Sequence, residues 1–251
     1  MSITTKQRRS SFGFEGVGRA LVVVAGLAAL ALLLGTVLFL VGIELLAVVG
    51  VELSFNSGLT VGLFLFSTLT TQGAMALTAY WYVRRYGFQV SAHTLTAANY
   101  RQIVIGTVLA LVLALGGNVV IGALFPTEAS GAFGGVTALG LPTVLAFGLI
   151  TIFIVAPAEE FLFRGVIQGR LRETVGAVPS IVGASLLFGG VHVLNYTGSA
   201  TSIVAHVGLL IVVSFVFAYA YERTGNLTVP ILIHGIYDST LFLLAYVGSV
   251  M

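Results

Sequence analysis

The sequence predicts an all-α fold, a polytopic transmembrane helical bundle of about seven spans with its N-terminus in the cytoplasm. Three observations carry this prediction. Apolar residues make up 58% of the chain and charged residues 8%, against about 45–50% and about 25% in soluble domains. Apolar runs long enough to cross a bilayer recur along the whole length. When seven spans are drawn, all eleven Lys and Arg residues fall on one side of the membrane.

The spans are bracketed by the ends of the apolar runs. In order, we expect them at residues 21–49, 59–83, 103–125, 141–163, 181–194, 202–221 and 229–247. Cations precede span one and lie between spans two and three, four and five, and six and seven, whereas the opposite loops have none. The positive-inside rule then places the N-terminus in the cytoplasm and the C-terminus outside. We expect an integral protein of the cell (plasma) membrane.

Composition also divides the chain and excludes several function classes. We expect a basic cytoplasmic tail at 1–19, accessory transmembrane helices at 20–140 and a helical core at 141–251 that holds the polar clusters, with the Gly-, Ala- and Thr-rich stretch 127–140 at the border. The absence of cysteine excludes disulfides, thiolate metal sites and cysteine nucleophiles. A net charge of +2 argues against a nucleic-acid partner and leaves the lipid bilayer as the expected environment.

The end of span four carries Glu159-Glu160-Phe161-Leu162-Phe163-Arg164. Ionisable groups at membrane depth mark a functional site by default because they are costly unless paired or hydrated. Positions four apart share a helix face, so we expect Glu160 to pair with Arg164. Glu159 points about 100° away and is expected to be free. Pro157 removes a backbone hydrogen bond and predicts a kink beside the pair.

Two further polar pairs at helical spacing follow. Span five carries Phe188 and His192, and span seven carries His234 and Asp238, the only aspartate in the chain. Each pair presents one helix face, so we expect both to meet Glu159 in a water-filled hollow open to the cytoplasm. Three other polar residues have no partner at this spacing and receive structural interpretations: Glu44, His93 and His206.

Known intramembrane chemistries narrow the choice. An aspartyl dyad needs two aspartates, a zinc protease needs His-Glu-x-x-His and a rhomboid-like site needs Gly-x-Ser-Gly, and none of these occurs. What remains is a glutamate with histidines.

Three motifs can be written from these residues: Glu159-Glu160-x-x-x-Arg164 on span four, Phe188-x-x-x-His192 on span five and His234-x-x-x-Asp238 on span seven. In this order they resemble the CPBP family, which comprises the type II CAAX prenyl endopeptidases and the prokaryotic Abi, or bacteriocin-processing, proteins. The lead-in from Thr224 to His234 also resembles that family, and the likeness covers roughly residues 141–248. The resemblance implies an intramembrane glutamic endopeptidase that acts on a membrane-associated protein or peptide, such as a prenylated CAAX substrate. It implies no cofactor.

The resemblance also implies residue roles. Glu159 would be the general base, and His192 would hold and polarise the water. His234 and Asp238 would face the oxyanion, with Glu160 and Arg164 in support. An ionised aspartate cannot donate to an oxyanion, so Asp238 is either protonated or orients His234, and we favour orientation.

Three alternatives stay open. The first is a non-proteolytic membrane scaffold or bacteriocin-immunity protein of the same fold. The second is an ion-coupled transporter that uses the carboxylates and imidazoles as a proton relay. The third is a metalloprotease, since two histidines and Glu159 form a legitimate zinc ligand set.

The expected boundaries leave the site residues at unequal depths. If span four ends at Arg164, Glu159 lies ~7.5 Å inside the boundary, whereas His192 lies ~20 Å from Pro179. We therefore expect span five to begin late, with residues 175–183 lying at the membrane interface, or else the spans to be tilted around the cavity.

Overall fold

The computed structural model describes residues 14–50, 61–125, 130–131 and 140–251. These ranges contain seven long helices, in the order expected from the sequence. They are α1 Phe14–Val48, α2 Val61–Tyr86, α3 Ala97–Leu124, α4 Leu141–Val175, α5 Ala177–Asn195, α6 Ala200–Thr224 and α7 Thr228–Val250. The last turn of α5, His192–Asn195, is 3-10 helix. Two short strands, β1 Ser130–Gly131 and β2 Tyr196–Thr197, pair antiparallel.

Six of these helices are long and apolar enough to cross a membrane, so the protein is an all-α integral membrane protein. The exception is α2, which has 26 residues and is thus about 39 Å long. Its middle carries Ser67, Thr70 and Gln72, which lower its hydropathy. Most of the basic tail and of the 127–140 border lies outside the described residues. The division into three regions stays a prediction.

The fourth span is longer than expected. It runs for 35 residues and ends at Val175, so the predicted end at residue 163 is wrong. Arg164 is a fully buried residue inside this helix and not a loop cation. A charge marks the membrane boundary only when it is solvated, and this one is paired in the interior. Orientation across the membrane stays a prediction.

Two π-helical turns interrupt α4, at Thr151–Val155 and Phe161–Gln168. They flank Pro157, whose missing N–H cannot complete an α-helical ladder. The Ala156 N–H accordingly reaches back five residues to the Thr151 carbonyl. Turns of this kind widen a helix and are frequent at functional sites. Both glutamates lie in the short α-helical stretch between them.

The true end of α4 removes the depth mismatch. Glu159 lies about 24 Å before Val175 along α4, and His192 lies about 22 Å after Ala177 along α5. The two helices are antiparallel around the tight turn at Gly176, so these side chains reach the same level. Residues 177–183 are helical rather than an interfacial segment, which corrects the late start expected for span five.

Close backbone approach holds α7 against α4. A Cβ at Gly235 would lie 2.9 Å from the Cα of Ile152, so only glycine fits there. The start of α7 is fixed by the α2–α3 linker, where the Asn226 side chain accepts from the His93 N–H and donates to its carbonyl at 3.0 and 3.1 Å. Gly225 makes the preceding turn in a left-handed conformation, φ 59°. Together these contacts fix the position of His234 along the bundle.

Candidate active site

Side chains from three helices meet at Glu159. Its Oε2 lies 3.8 Å from Nε2 of His192 on α5 and 3.9 Å from Nε2 of His234 on α7. One turn later on α7, Asp238 Oδ2 lies 3.2 Å from the same His234 nitrogen. The structure therefore brings together the four residues that the sequence singled out as catalytic.

Glu160 and Arg164 form a buried ion pair, as their spacing predicts. The Arg164 Nε lies 3.1 Å from Glu160 Oε2, and both side chains are fully buried. The guanidinium packs over the rings of Phe188 and Phe217, at 4.6 and 5.7 Å to their centroids, and its Nη2 donates to Ser214 Oγ at 3.0 Å. Arg164 thus ties α4 to α5 and α6 behind the site.

His234 has a carboxylate at each ring nitrogen. Its Nδ1 is hydrogen-bonded to Glu160 Oε1 at 2.9 Å, and its Nε2 contacts Asp238. Glu160 therefore sits on the nitrogen away from Glu159. The sequence interpretation gave the task of orienting the ring to Asp238, which contacts the other nitrogen, on the same side of the ring as Glu159. The role of Asp238 stays a prediction.

The tautomer of His192 follows from its backbone contact. Its Nδ1 lies 2.6 Å from the Phe188 carbonyl oxygen. Because a carbonyl only accepts, Nδ1 carries a hydrogen, and Nε2 is the nitrogen that faces Glu159; it offers a lone pair whenever the ring is neutral. The Phe188 ring also packs on His192, with centroids 4.5 Å apart. Phe188 therefore fixes His192 in two ways, through its backbone carbonyl and through its ring.

Glu159 is not free, contrary to the expectation from sequence. Gln72 on α2 donates from Nε2 to Glu159 Oε1 at 2.9 Å in a buried contact. The sequence analysis passed over Gln72 because it has no polar partner at helical spacing. The one available signal was a lone amide in the middle of an apolar span.

Exposure is graded across the site. The side chains of Glu159 and His234 are 6% and 4% exposed, whereas those of His192 and Asp238 are 17% and 15% exposed. The open edge is therefore on the side of the last two residues. Tyr196 on β2 lies near this edge, and burial, with the nearby charge of Asp238, raises the pKa of its phenol. The ring of Tyr196 also packs against that of His206.

The three residues given structural interpretations behave differently from the site. The His206 Nδ1–H donates to the Ser202 carbonyl of its own helix at 2.7 Å. Glu44 and His93 are exposed. No group of three His, Asp or Glu side chains within the described ranges is arranged to hold a metal ion.

One comparison with known proteins found a match, and the match covers the site. A sequence model of the type II CAAX prenyl endopeptidase Rce1-like family matches residues 141–240. That segment includes all six predicted site residues and ends before the last turns of α7. No curated protein and no solved structure matches the chain. The family resemblance is therefore confirmed over residues 141–240, where the chain is similar to the Rce1-like family of type II CAAX prenyl endopeptidases.

Proposed function

We propose that the protein is an intramembrane endopeptidase in which Glu159 activates a water molecule to hydrolyse a peptide bond. The observation that carries the proposal is the approach of one carboxylate oxygen, Glu159 Oε2, to imidazoles from two other helices at 3.8 and 3.9 Å. The family match supports a membrane protease of the CAAX type. The glutamic mechanism and the role of each residue are part of the proposal, and they rest on the resemblance and on the distances within the site.

The water would lie between Glu159 and His192. One of its hydrogens points to Glu159 Oε2 and the other to the lone pair on His192 Nε2, with the water oxygen about 2.8 Å from each acceptor. This arrangement aims an oxygen lone pair outward toward a substrate carbonyl carbon. Glu159 takes the first proton as the water attacks, which makes it the general base. His192 then orients the water without taking its proton.

The developing oxyanion would face His234. His234 acts here as the imidazolium, with both ring nitrogens protonated. Its Nδ1–H donates to Glu160, and its Nε2–H is directed toward the open side of the site, where Asp238 now accepts it. A tetrahedral intermediate would share or replace that contact, since a preorganised donor stabilises charge that forms in the transition state. The carbon–nitrogen bond then breaks, and the proton held by Glu159 passes to the departing amine.

The substrate we propose is a membrane-associated protein or peptide, including prenylated CAAX proteins. It would enter from the edge formed by His192 and Asp238, because these side chains are the more exposed ones. We further propose a plasma-membrane protein with this edge accessible from the cytoplasmic side. Catalysis needs no metal in this mechanism.

The test is cleavage by purified protein in detergent, with prenylated and unprenylated CAAX peptides and cellular membrane peptides as substrates. Glu159→Gln keeps the shape of the side chain and an oxygen acceptor for Gln72, so the fold should survive. Loss of a general base lowers the rate about 10²- to 10⁴-fold. Glu173→Gln is the matched control, because Glu173 is an exposed glutamate on the same helix that pairs with Arg170.

Each outcome is decisive. Cleavage that disappears in Glu159→Gln, persists in Glu173→Gln and survives exhaustive chelation supports the proposal. Equal turnover by Glu159→Gln would refute the glutamate mechanism. Loss of turnover on chelation would favour the metalloprotease alternative. Binding of peptides by the wild type with no cleavage would favour the scaffold alternative.

A further inference from the structure

Gln72 is the one described residue outside the family-matched segment that hydrogen-bonds to Glu159. It lies on α2, 8% exposed, and reaches across to α4. Burying an amide in an apolar bundle is unfavourable unless its hydrogen bonds are made. Among the described residues the Gln72 Oε1 has no partner, so the contact with Glu159 is what this amide gains from its position.

The two oxygens of Glu159 have different surroundings. Oε1 accepts from Gln72, whereas Oε2 faces His192 and His234. Rotation of the carboxylate out of its present plane would move both oxygens and break the bond from Gln72. The amide therefore holds the carboxylate plane in the one orientation that directs Oε2 toward both imidazoles.

The chemistry of the donor fits this task. A lysine or arginine at the same place would neutralise the carboxylate and compete with the proton it must accept. An amide donates one hydrogen bond without adding net charge. Gln72 thus fixes geometry and leaves Glu159 able to act as a base.

We infer that Gln72 is a positioning residue for the reaction, which makes α2 part of the active site although the family segment begins only at residue 141. This inference rests on the proposed function. It gives a positioning role to α2, the one long helix of the described residues that is not among the six strongly apolar spans.

The test compares Gln72→Met and Gln72→Leu with Gln168→Met. Methionine and leucine both fill much of the space of glutamine without a hydrogen-bond donor, and neither adds a second carboxyl group that could share a proton with Glu159. Gln168 is the control because it is also a buried glutamine, 1% exposed, whose Nε2 donates to the Ala218 backbone carbonyl instead of the site. Peptide-cleavage kinetics and thermal unfolding are measured for all three.

We expect both Gln72 variants to lose about 10- to 100-fold in kcat, as for loss of a hydrogen bond to a charged group, with KM changed less than about threefold. Gln168→Met should unfold at a lower temperature and keep its kcat. Turnover by either folded Gln72 variant close to that of the wild type would overturn the inference, because an apolar side chain of similar size would then suffice. So would a kcat loss in Gln168→Met as large as that in Gln72→Met.

Different results would refute the proposed function and the proposed role of Gln72. If Glu159→Gln cleaves normally, the proposed function fails. If Glu159→Gln is inactive while a folded Gln72→Met turns over like the wild type, only the role of Gln72 fails. Should Gln72→Met not fold, the decision rests on Gln72→Leu, a second apolar replacement with a different shape.

Discussion

Arg164→Met is expected to destabilise the bundle strongly, because it removes one partner of a buried ion pair. Glu160 and Arg164 are fully buried and 3.1 Å apart. Leaving one charge of such a pair without its partner costs about 3–5 kcal/mol. The long apolar methionine side chain should fill the space between Phe188 and Phe217, so the cavity contribution is small and the estimate reflects the charge.

The assay is the free energy of unfolding in mixed micelles, measured by denaturant titration and followed by helix content. Arg172→Met is the matched control on the same helix. Arg172 pairs with Glu222 at 2.8 Å, but its side chain is 50% exposed, and exposed pairs contribute about 0–1 kcal/mol. The buried and exposed arginines should therefore differ by at least about 2 kcal/mol.

The double variant Glu160→Gln/Arg164→Met separates charge from packing. Replacing both members of a buried pair by neutral groups is often nearly neutral, and the amide oxygen introduced by Glu160→Gln can still accept from His234. We expect the double variant to regain about 2 kcal/mol relative to Arg164→Met alone. A loss below about 1 kcal/mol in Arg164→Met, or additive effects of the two substitutions, would refute the reasoning.

Two further predictions concern the open edge of the site and the topology. Asp238→Asn should retain or increase activity, since Glu160 already fixes His234 and an amide at this position can donate to an oxyanion; a loss of more than about 100-fold in kcat would mean that the acceptor at Asp238 is required. A topology reporter fused after Met251 should read outside the cell while one placed before α1 reads cytoplasmic, and a cytoplasmic signal from both would overturn the orientation.

Most of what could be predicted came from patterns within single helices. Apolar runs gave seven helices in the order described, with limits that match to within several residues except at the end of α4. The i,i+4 spacing gave the Glu160–Arg164, Phe188–His192 and His234–Asp238 contacts, which the structure contains. Such pairs depend only on the geometry of one helix, so they can be predicted without knowing how the helices pack.

Long-range packing decided the rest. Gln72 and Glu159 are 87 residues apart, and no local pattern relates them. The same holds for the surroundings of His234, where Glu160 on α4 contacts one ring nitrogen and Asp238 contacts the other. Which acceptor reaches which ring nitrogen depends on the rotation of α7 against α4, set by the close contact of Gly235 with Ile152.

The sequence by itself determined an all-α membrane bundle, the set of ionisable groups within it and the resemblance of residues 141–240 to the Rce1-like family. Only the tertiary structure decided where those groups lie along the helices. Arg164 suggested a membrane boundary because an unpaired cation is expelled from an apolar medium. Packed between two aromatic rings and paired with Glu160, it is instead an interior residue, and α4 continues for about 17 Å beyond it.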